Sequence, residues 1–469
     1  MTRVRSDNGL RARAGRWAVL VDAEAYFGWL AKSLERAQRS ILIAGWDVHS
    51  QLELRRGGGR SETLVALLER LTVERADLRV HLLIWDCNVF CAAERELLGT
   101  MRLGWQTSPR IRLHFDGVHP SAACHHEKIV VIDDAVAFVG GIDLTAKRWD
   151  TREHRPLDAR RLDPSGKPYP PFHDAQVAVS GDAAAALGEG VRDRWKRATG
   201  EVIDAPGQDS DPWPPELRPA LRDVEVGLAR TESVGEGHGR REIESMYRDA
   251  LRSARQFVYI ENQYLSSDAI AGEIMALLQR REGPEVCIVI PREVSGWLEN
   301  VVMGRLRARV VHRLREADRH DRLRIWYPTA ANGDPIVVHS KLCIVDDRFA
   351  TIGSANLSNR SMSLDTETNL FVESGDEDAR HALRALRGEL LAEHLGRHPE
   401  AVAAALEAER SYHRATERLL GESRTLRRLE DVPVPEEDLV DLAGWALDPE
   451  RPLDWGDLAQ LLFSPGRNG

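Results

Sequence analysis

Two short stretches of the sequence each bring an imidazole, an ammonium and a carboxylate to the same spacing. "CHHEKIVVIDDAVAFVGGIDL" carries His126, Lys128 and Asp133, and "VHSKLCIVDDRFATIGSANL" carries His339, Lys341 and Asp346. Both obey H-x-K-x4-D-x6-G-[GS], which chance rarely supplies once and hardly ever twice in register. If residues 337–347 form one strand, His339 and Lys341 project from one face. Burying both without partners would cost roughly several kcal/mol, so such a face lines a partner carboxylate, a wet cleft or a ligand. Two imidazoles facing each other across a phosphodiester permit a definite chemistry. One attacks phosphorus to give a phosphohistidine; the other protonates the leaving oxygen and then activates water or an alcohol. Imidazole suits both tasks because its proton affinity lies near neutral pH. Lys128 and Lys341 can offset the charge on the non-bridging oxygens, so this reading calls for no metal and no other cofactor. Asn356 and Ser354 can add hydrogen bonds in one repeat, and Asp143 stands in the position of Asn356 in the other.

Asp133 and Asp346 complete the candidate catalytic signature, but they sit in acidic turns and can act simply by shaping hairpins. The lysines carry separate weight. Only six of the 64 basic residues are lysines, and two of those six occupy equivalent repeat positions. A compact ammonium rather than a planar guanidinium fork is required there. His125, His114 and His119 fall outside the repeated spacing and read as surface or loop residues. Glu261, Asn262 and Gln263 end a strand near the expected cleft, where capping and substrate contact are both open. "RRGGGR" (55–60) reads as a surface loop, while Trp149, Trp297 and Phe90 read as core or cleft-wall packing.

The elements around the motifs repeat as well. "LERAQRSILIAGWDV" (34–48) parallels "LRSARQFVYIENQYL" (251–265), "LRVHLLIWD" (78–86) parallels "EVCIVIPRE" (285–293), and "RIRLHF" parallels "RLRIWY". Asp22 is positioned to cap a helix burying Phe27, Leu30, Ala31 and Leu34. Ile243, Met246, Tyr247, Ala250 and Leu251 show the same spacing. Helices alternating with apolar strands predict two similar α/β halves, each a mixed sheet flanked by helices, packed as a pseudo-twofold pair with one shared cleft. The boundaries are residues 1–205 for the first half, 206–220 for a Pro-rich acidic linker, and 221–396 for the second half. Residues 397–469 form a C-terminal helix (399–420) and an acidic, Pro-rich tail.

Composition bounds the rest. At 469 residues, 42% hydrophobic and 29% charged, the chain reads as an ordinary globular protein with ample core. Its net charge of −10 argues against a nucleic-acid partner, so any anion site must be local. The five cysteines follow no disulfide framework, and Cys87 and Cys91 lack a second pair for zinc. The sequence shows neither a signal-peptide pattern nor a bilayer-spanning run. A monomeric cytoplasmic protein that can act peripherally at the inner membrane is the expectation.

The paired His-x-Lys-x4-Asp motifs resemble the phospholipase D superfamily over roughly residues 15–395. "GGIDLTAKRWDTREHRP" (140–156), "PPFHDAQVAVSG" (170–181), "YIENQYL" (259–265) and "GSANLSNRSMSLDTETNL" (353–370) resemble true phospholipases D more than the superfamily's nucleases. That resemblance implies His126 as nucleophile, His339 as general acid, and Asp174 and Glu367 as the carboxylates that orient them. It implies a phospholipid substrate at a membrane surface and water or an alcohol as acceptor. The products would be phosphatidic acid and a head-group alcohol, with transphosphatidylation, a cardiolipin synthase-like transfer, a nuclease or a non-catalytic scaffold as alternatives. The chain departs from the family in showing no secretion signal, no regulatory lipid-binding module and no N-terminal membrane helices.

Overall fold

The computed structural model describes residues 4–56, 62–86, 108–207, 210–233, 239–293, 297–430 and 447–452. Cys87, Cys91, Phe90, most of the 55–60 loop, the side chain of Trp297 and most of the C-terminal tail lie outside the described residues.

Among the described residues seventeen strands form one continuous mixed sheet, and fourteen of them make up an internal repeat. In the first half they are Gly9–Val21 (β1), Ser40–Gly45 (β2), Arg79–Trp85 (β3), Ile111–Asp116 (β4), Ile129–Ile132 (β5), Val136–Gly140 (β6) and Ala175–Ser180 (β7). In the second they are Leu221–Glu232 (β8), Phe257–Glu261 (β9), Glu285–Val289 (β10), Leu323–Thr329 (β11), Leu342–Val345 (β12), Phe349–Gly353 (β13) and Glu367–Glu373 (β14). The first half runs β4-β3-β2-β5-β6-β7-β1, with β2, β3 and β4 parallel and the other pairs antiparallel. The second runs β8-β14-β13-β12-β9-β10-β11, with β9, β10 and β11 parallel. Antiparallel pairing of β1 with β8, from Leu10–Leu228 to Trp17–Leu221, joins the two series edge to edge. The halves are thus one sheet folded around a central two-strand seam, with the order of the second mirroring the first.

Helices flank the sheet at matching places. Asp22–Leu34 (α1) follows β1 and Glu242–Ser253 (α2) follows β8, each burying the apolar stripe read from sequence. Apolar residues of both halves, among them Trp17, Val131, Val177, Leu228, Ile344, Leu370 and Leu390, share one core cluster, and each half has a second cluster of its own. Shared burial of this kind couples the halves into one cooperative unit.

Three local expectations are corrected. Asp22 does not cap α1: it is the first helical residue, at φ 66°, with its carboxylate turned inward and fully buried. The run 337–347 is two strands rather than one, because Val337–Val338 ends before His339 and β12 starts at Leu342. The helix expected over 399–420 is split into Pro399–Glu409 and Tyr412–Leu419, with Arg410 left-handed at φ 50° between them.

Candidate active site

Each motif sits just before an antiparallel hairpin, β5–β6 or β12–β13. Both hairpins turn on two consecutive aspartates, Asp133–Asp134 and Asp346–Asp347, at φ 51° to 52°. Asp tolerates the left-handed region better than most residues because its short side chain bonds locally. The Asp133 carboxylate accepts the N–H groups of Gln38, Arg39 and Ser40 at 2.7–2.8 Å. Asp346 accepts those of Arg255, Gln256 and Phe257 at 2.7–2.9 Å. These two members of the signature therefore pin the start of β2 and β9, at the far end of their strands from the histidines. The structure gives them a scaffold position and no place among the reacting groups.

The histidine segments cross between halves. The His126 N–H donates to Thr366 O (2.9 Å) and the Thr366 N–H to Cys124 O (2.8 Å). In the other motif Val337–Val338 pairs with Phe172–His173 in parallel, and the His339 N–H donates to His173 O (2.8 Å). These contacts set each imidazole against a carboxylate from the opposite half. His126 Nδ1 lies 3.0 and 3.1 Å from the Glu367 oxygens. His339 Nδ1 lies 2.6 Å from Asp174 Oδ2. A carboxylate on Nδ1 fixes the ring so that Nε2 is the atom left for chemistry.

Both lysines are almost fully buried at 3% and 0% exposure, where an ammonium needs every donor met. Lys128 donates to Asp143 Oδ2 (3.1 Å) and to the His126 carbonyl (2.8 Å). Lys341 donates to Gln263 Oε1 (3.1 Å) and to the His339 carbonyl. Ser354 and Ser361 donate to Glu367, so the Ser354 hydroxyl orients the carboxylate that holds His126. Asn356 is buried with its Oδ1 lacking a hydrogen-bond partner. The repeat position of Ser354 in the first half is Gly141, where a Cβ would stand 2.1 Å from Asp174 Oδ1. The halves solve one problem in two ways: a longer carboxylate braced by serines, or a shorter one seated over a glycine.

The electrostatics are asymmetric. Burial, then the positive charges of Lys341 and Arg148, push His339 well below its ordinary value. Lys128 and His126 also act on His339, so charge from the first motif reaches the second. Burial lowers Lys341 to about 7 against the pull of Asp174. Burial also raises Asp174 to about 6, although Lys341 opposes it.

Behind the histidines lies a buried ionic cluster that no motif announced. His173 Nε2 pairs with Glu261 Oε2 (2.8 Å), and its Nδ1 faces Glu393 Oε1 (2.8 Å) and Asp22 Oδ1 (3.2 Å). His154 Nδ1 pairs with Asp150 Oδ2 (3.0 Å), and its Nε2 approaches Glu393 Oε1 (3.2 Å) and Asp22 Oδ2 (3.6 Å). Glu261 also accepts from Ser340 Oγ and His394 Nε2, which gives that strand end a bracing role. Asp22, His154, His173 and Glu393 converge within 4.8 Å, and each histidine has a carboxylate behind its other nitrogen. That donor set fits a divalent cation as well as it fits two imidazolium ions. His125, expected at the surface, is buried between Thr366 and Asp116. Cys124, Cys287 and Cys343 are buried free thiols, and Trp149 is core.

A family model described as "Cardiolipin synthase, PLD-like domain" matches residues 247–386. Phospholipase D A of Dictyostelium discoideum is 25% identical over 421 residues, covering 76% of this chain and 32% of that protein. Phospholipase D alpha 2 of rice (Oryza sativa subsp. japonica) is 24% identical over 523 residues, covering 78% of this chain and 62% of that protein. The chain thus spans 32% to 62% of the length of these curated relatives. Among solved structures, phosphatidylserine synthase of Haemophilus influenzae Rd KW20 shares the fold with a TM-score of 0.56 at 12% identity, covering 86% of this chain and 94% of that one. With its mirrored halves and paired His–Lys motifs, the chain is similar to proteins of the phospholipase D superfamily.

Proposed function

We propose that this chain is a phospholipase D-type phosphodiesterase that cleaves glycerophospholipids to phosphatidic acid and a head-group alcohol. The observation that carries the reading is the crossed pairing of His126 with Glu367 and His339 with Asp174, which supports one two-histidine site built from both halves. His126 Nε2 forms a bond to phosphorus as the bond from phosphorus to the head-group oxygen breaks, and His339 Nε2 supplies that oxygen's proton. His339 then takes a proton from water, whose oxygen displaces His126 and releases phosphatidic acid. Lys128 and Lys341 face the charge that builds on the non-bridging oxygens. Because burial and then cationic neighbours disfavour a second proton on His339, the acid is the His339–Asp174 pair, charged with its proton as an anionic phosphate arrives.

Transfer of the phosphatidyl group to an alcohol or a second lipid uses the same groups, and the description of the matching family model favours keeping it as the second reading. In this proposal lipid is met at the cleft mouth; among the described residues no helix is long and apolar enough to cross a membrane. Mass spectrometry of products from mixed phospholipid vesicles plus a primary alcohol tests both readings. Phosphatidic acid and phosphatidyl-alcohol, lost in His126→Ala and His339→Ala, are expected. A lack of any lipid product would refute the proposal.

A further inference from the structure

Most buried arginines of this protein face carboxylates. Arg161 meets Asp150, Arg192 meets Asp134, Arg194 meets Asp116 and Glu127, and Arg387 meets Asp347. The half-buried Arg148 is different. Among the described residues it makes no hydrogen bond and no ion pair, and its buried Nε has no partner. Its guanidinium lies 5.3 Å from the centre of the Phe172 ring, and that ring lies 5.4 Å from the His339 ring.

The backbone on either side holds Arg148 there. Lys147 before it is left-handed at φ 62°. After it, Trp149 is buried with its carbonyl accepting the Tyr169 hydroxyl (2.8 Å), and the Asp150 carbonyl accepts the Glu24 N–H (3.0 Å). The repeat position in the second half is Ser361, whose hydroxyl is spent on Glu367. The extra cation therefore stands on the His339 side of the cleft alone. Its field reaches His339, Lys341 and Asp174, which places it at the site electrically. A guanidinium held against an aromatic face with its donors unspent is preorganised for an oxyanion.

We propose that Arg148 is a phosphate-binding residue that takes an oxygen of the substrate's phosphate group on the His339 side of the cleft. This rests on the phosphodiester reading above. The same chemistry would hold the phosphate of a lipid or free inorganic phosphate, and the test separates the two.

Inorganic phosphate is titrated calorimetrically into wild type, Arg148→Ala and Arg148→Lys, and KM and kcat are measured on a short-chain phosphatidylcholine. Losing a charge-assisted contact predicts phosphate affinity weaker by roughly 10- to 100-fold in Arg148→Ala, with Arg148→Lys in between. KM is expected to rise by a similar factor, with kcat changed less and the melting temperature little changed, since the contact with Phe172 is lost but no hydrogen bond or ion pair among the described residues is removed. Equal phosphate affinity in wild type and Arg148→Ala overturns the proposal, as does wild type that binds no phosphate. Weakened phosphate binding in a protein that cleaves no lipid keeps Arg148 as a phosphate ligand and rejects the lipid reading instead.

Discussion

His339 Nδ1 lies 2.6 Å from Asp174 Oδ2, although the two residues are 165 positions apart and belong to opposite halves. Neither half can therefore orient its own histidine. Asp174→Asn is expected to lower kcat by roughly 10²- to 10⁴-fold, since an amide cannot set the ring or share its proton in the same way. Fold stability should move the other way. The folded-state value of Asp174 is raised to about 6, so its ionised form costs stability that grows from about pH 4 through pH 6 and then stays constant. At pH 7 the asparagine variant is expected to be more stable by about 1–3 kcal/mol in urea unfolding. Equal or lower stability would show that the carboxylate is better solvated than its burial implies.

Lys341 carries the opposite sign. Its folded-state value is lowered to about 7 from 10.5, so the unfolded chain binds the extra proton between those limits. Unfolding free energy should therefore gain a rising contribution between pH 7 and pH 10.5, and Lys341→Met should be stabilising below pH 7 and lose that advantage toward pH 10.5. Activity should fall above pH 7 as the ammonium is lost. Parallel pH series of kcat/KM and of urea midpoints check both limbs.

Gly141 makes room for Asp174. A Cβ there would stand 2.1 Å from Asp174 Oδ1, closer than any atom tolerates. Gly141→Ala is expected to displace the carboxylate and reduce kcat by roughly 100-fold or more, comparable to losing its hydrogen bond to His339. A variant with unchanged kcat would mean that Asp174 can move without consequence.

The buried tetrad of Asp22, His154, His173 and Glu393 makes a metal prediction. Chelator-stripped protein given a stoichiometric divalent cation is expected to melt at a higher temperature, because a ligand of the native state stabilises it by mass action. The shift should vanish in His154→Ala. No shift with zinc, manganese or calcium would leave the cluster as two ion-paired imidazolium groups.

Much of this was legible beforehand, and what was missed has physical reasons. His126, His339 and their lysines stood out because a whole spacing recurs, and recurrence also exposed the mirrored halves. Asp174 and Glu367 were reached only through resemblance, since no local pattern ties a carboxylate to a histidine 165 or 241 positions away. Nothing in the sequence marked His154, Glu393 and Asp22 as a cluster: each is a lone titratable residue in its own segment, and only tertiary packing brings them together. Asp22 also misled, because an acidic residue before an apolar stripe normally caps a helix, and here burial beside two histidines overrides that preference. The strand break at His339 was hidden by the apolar residues on both sides, which serve two different strands.

The central claim is that both histidines belong to one site. The rate of phosphatidic acid release by wild type, His126→Ala and His339→Ala tests it most directly. One shared site predicts that each single variant loses at least roughly 10³-fold and that the double variant is no worse than either. If each single variant kept about half the wild-type rate, with only the double variant inactive, the halves would work independently and the shared-site account would be wrong.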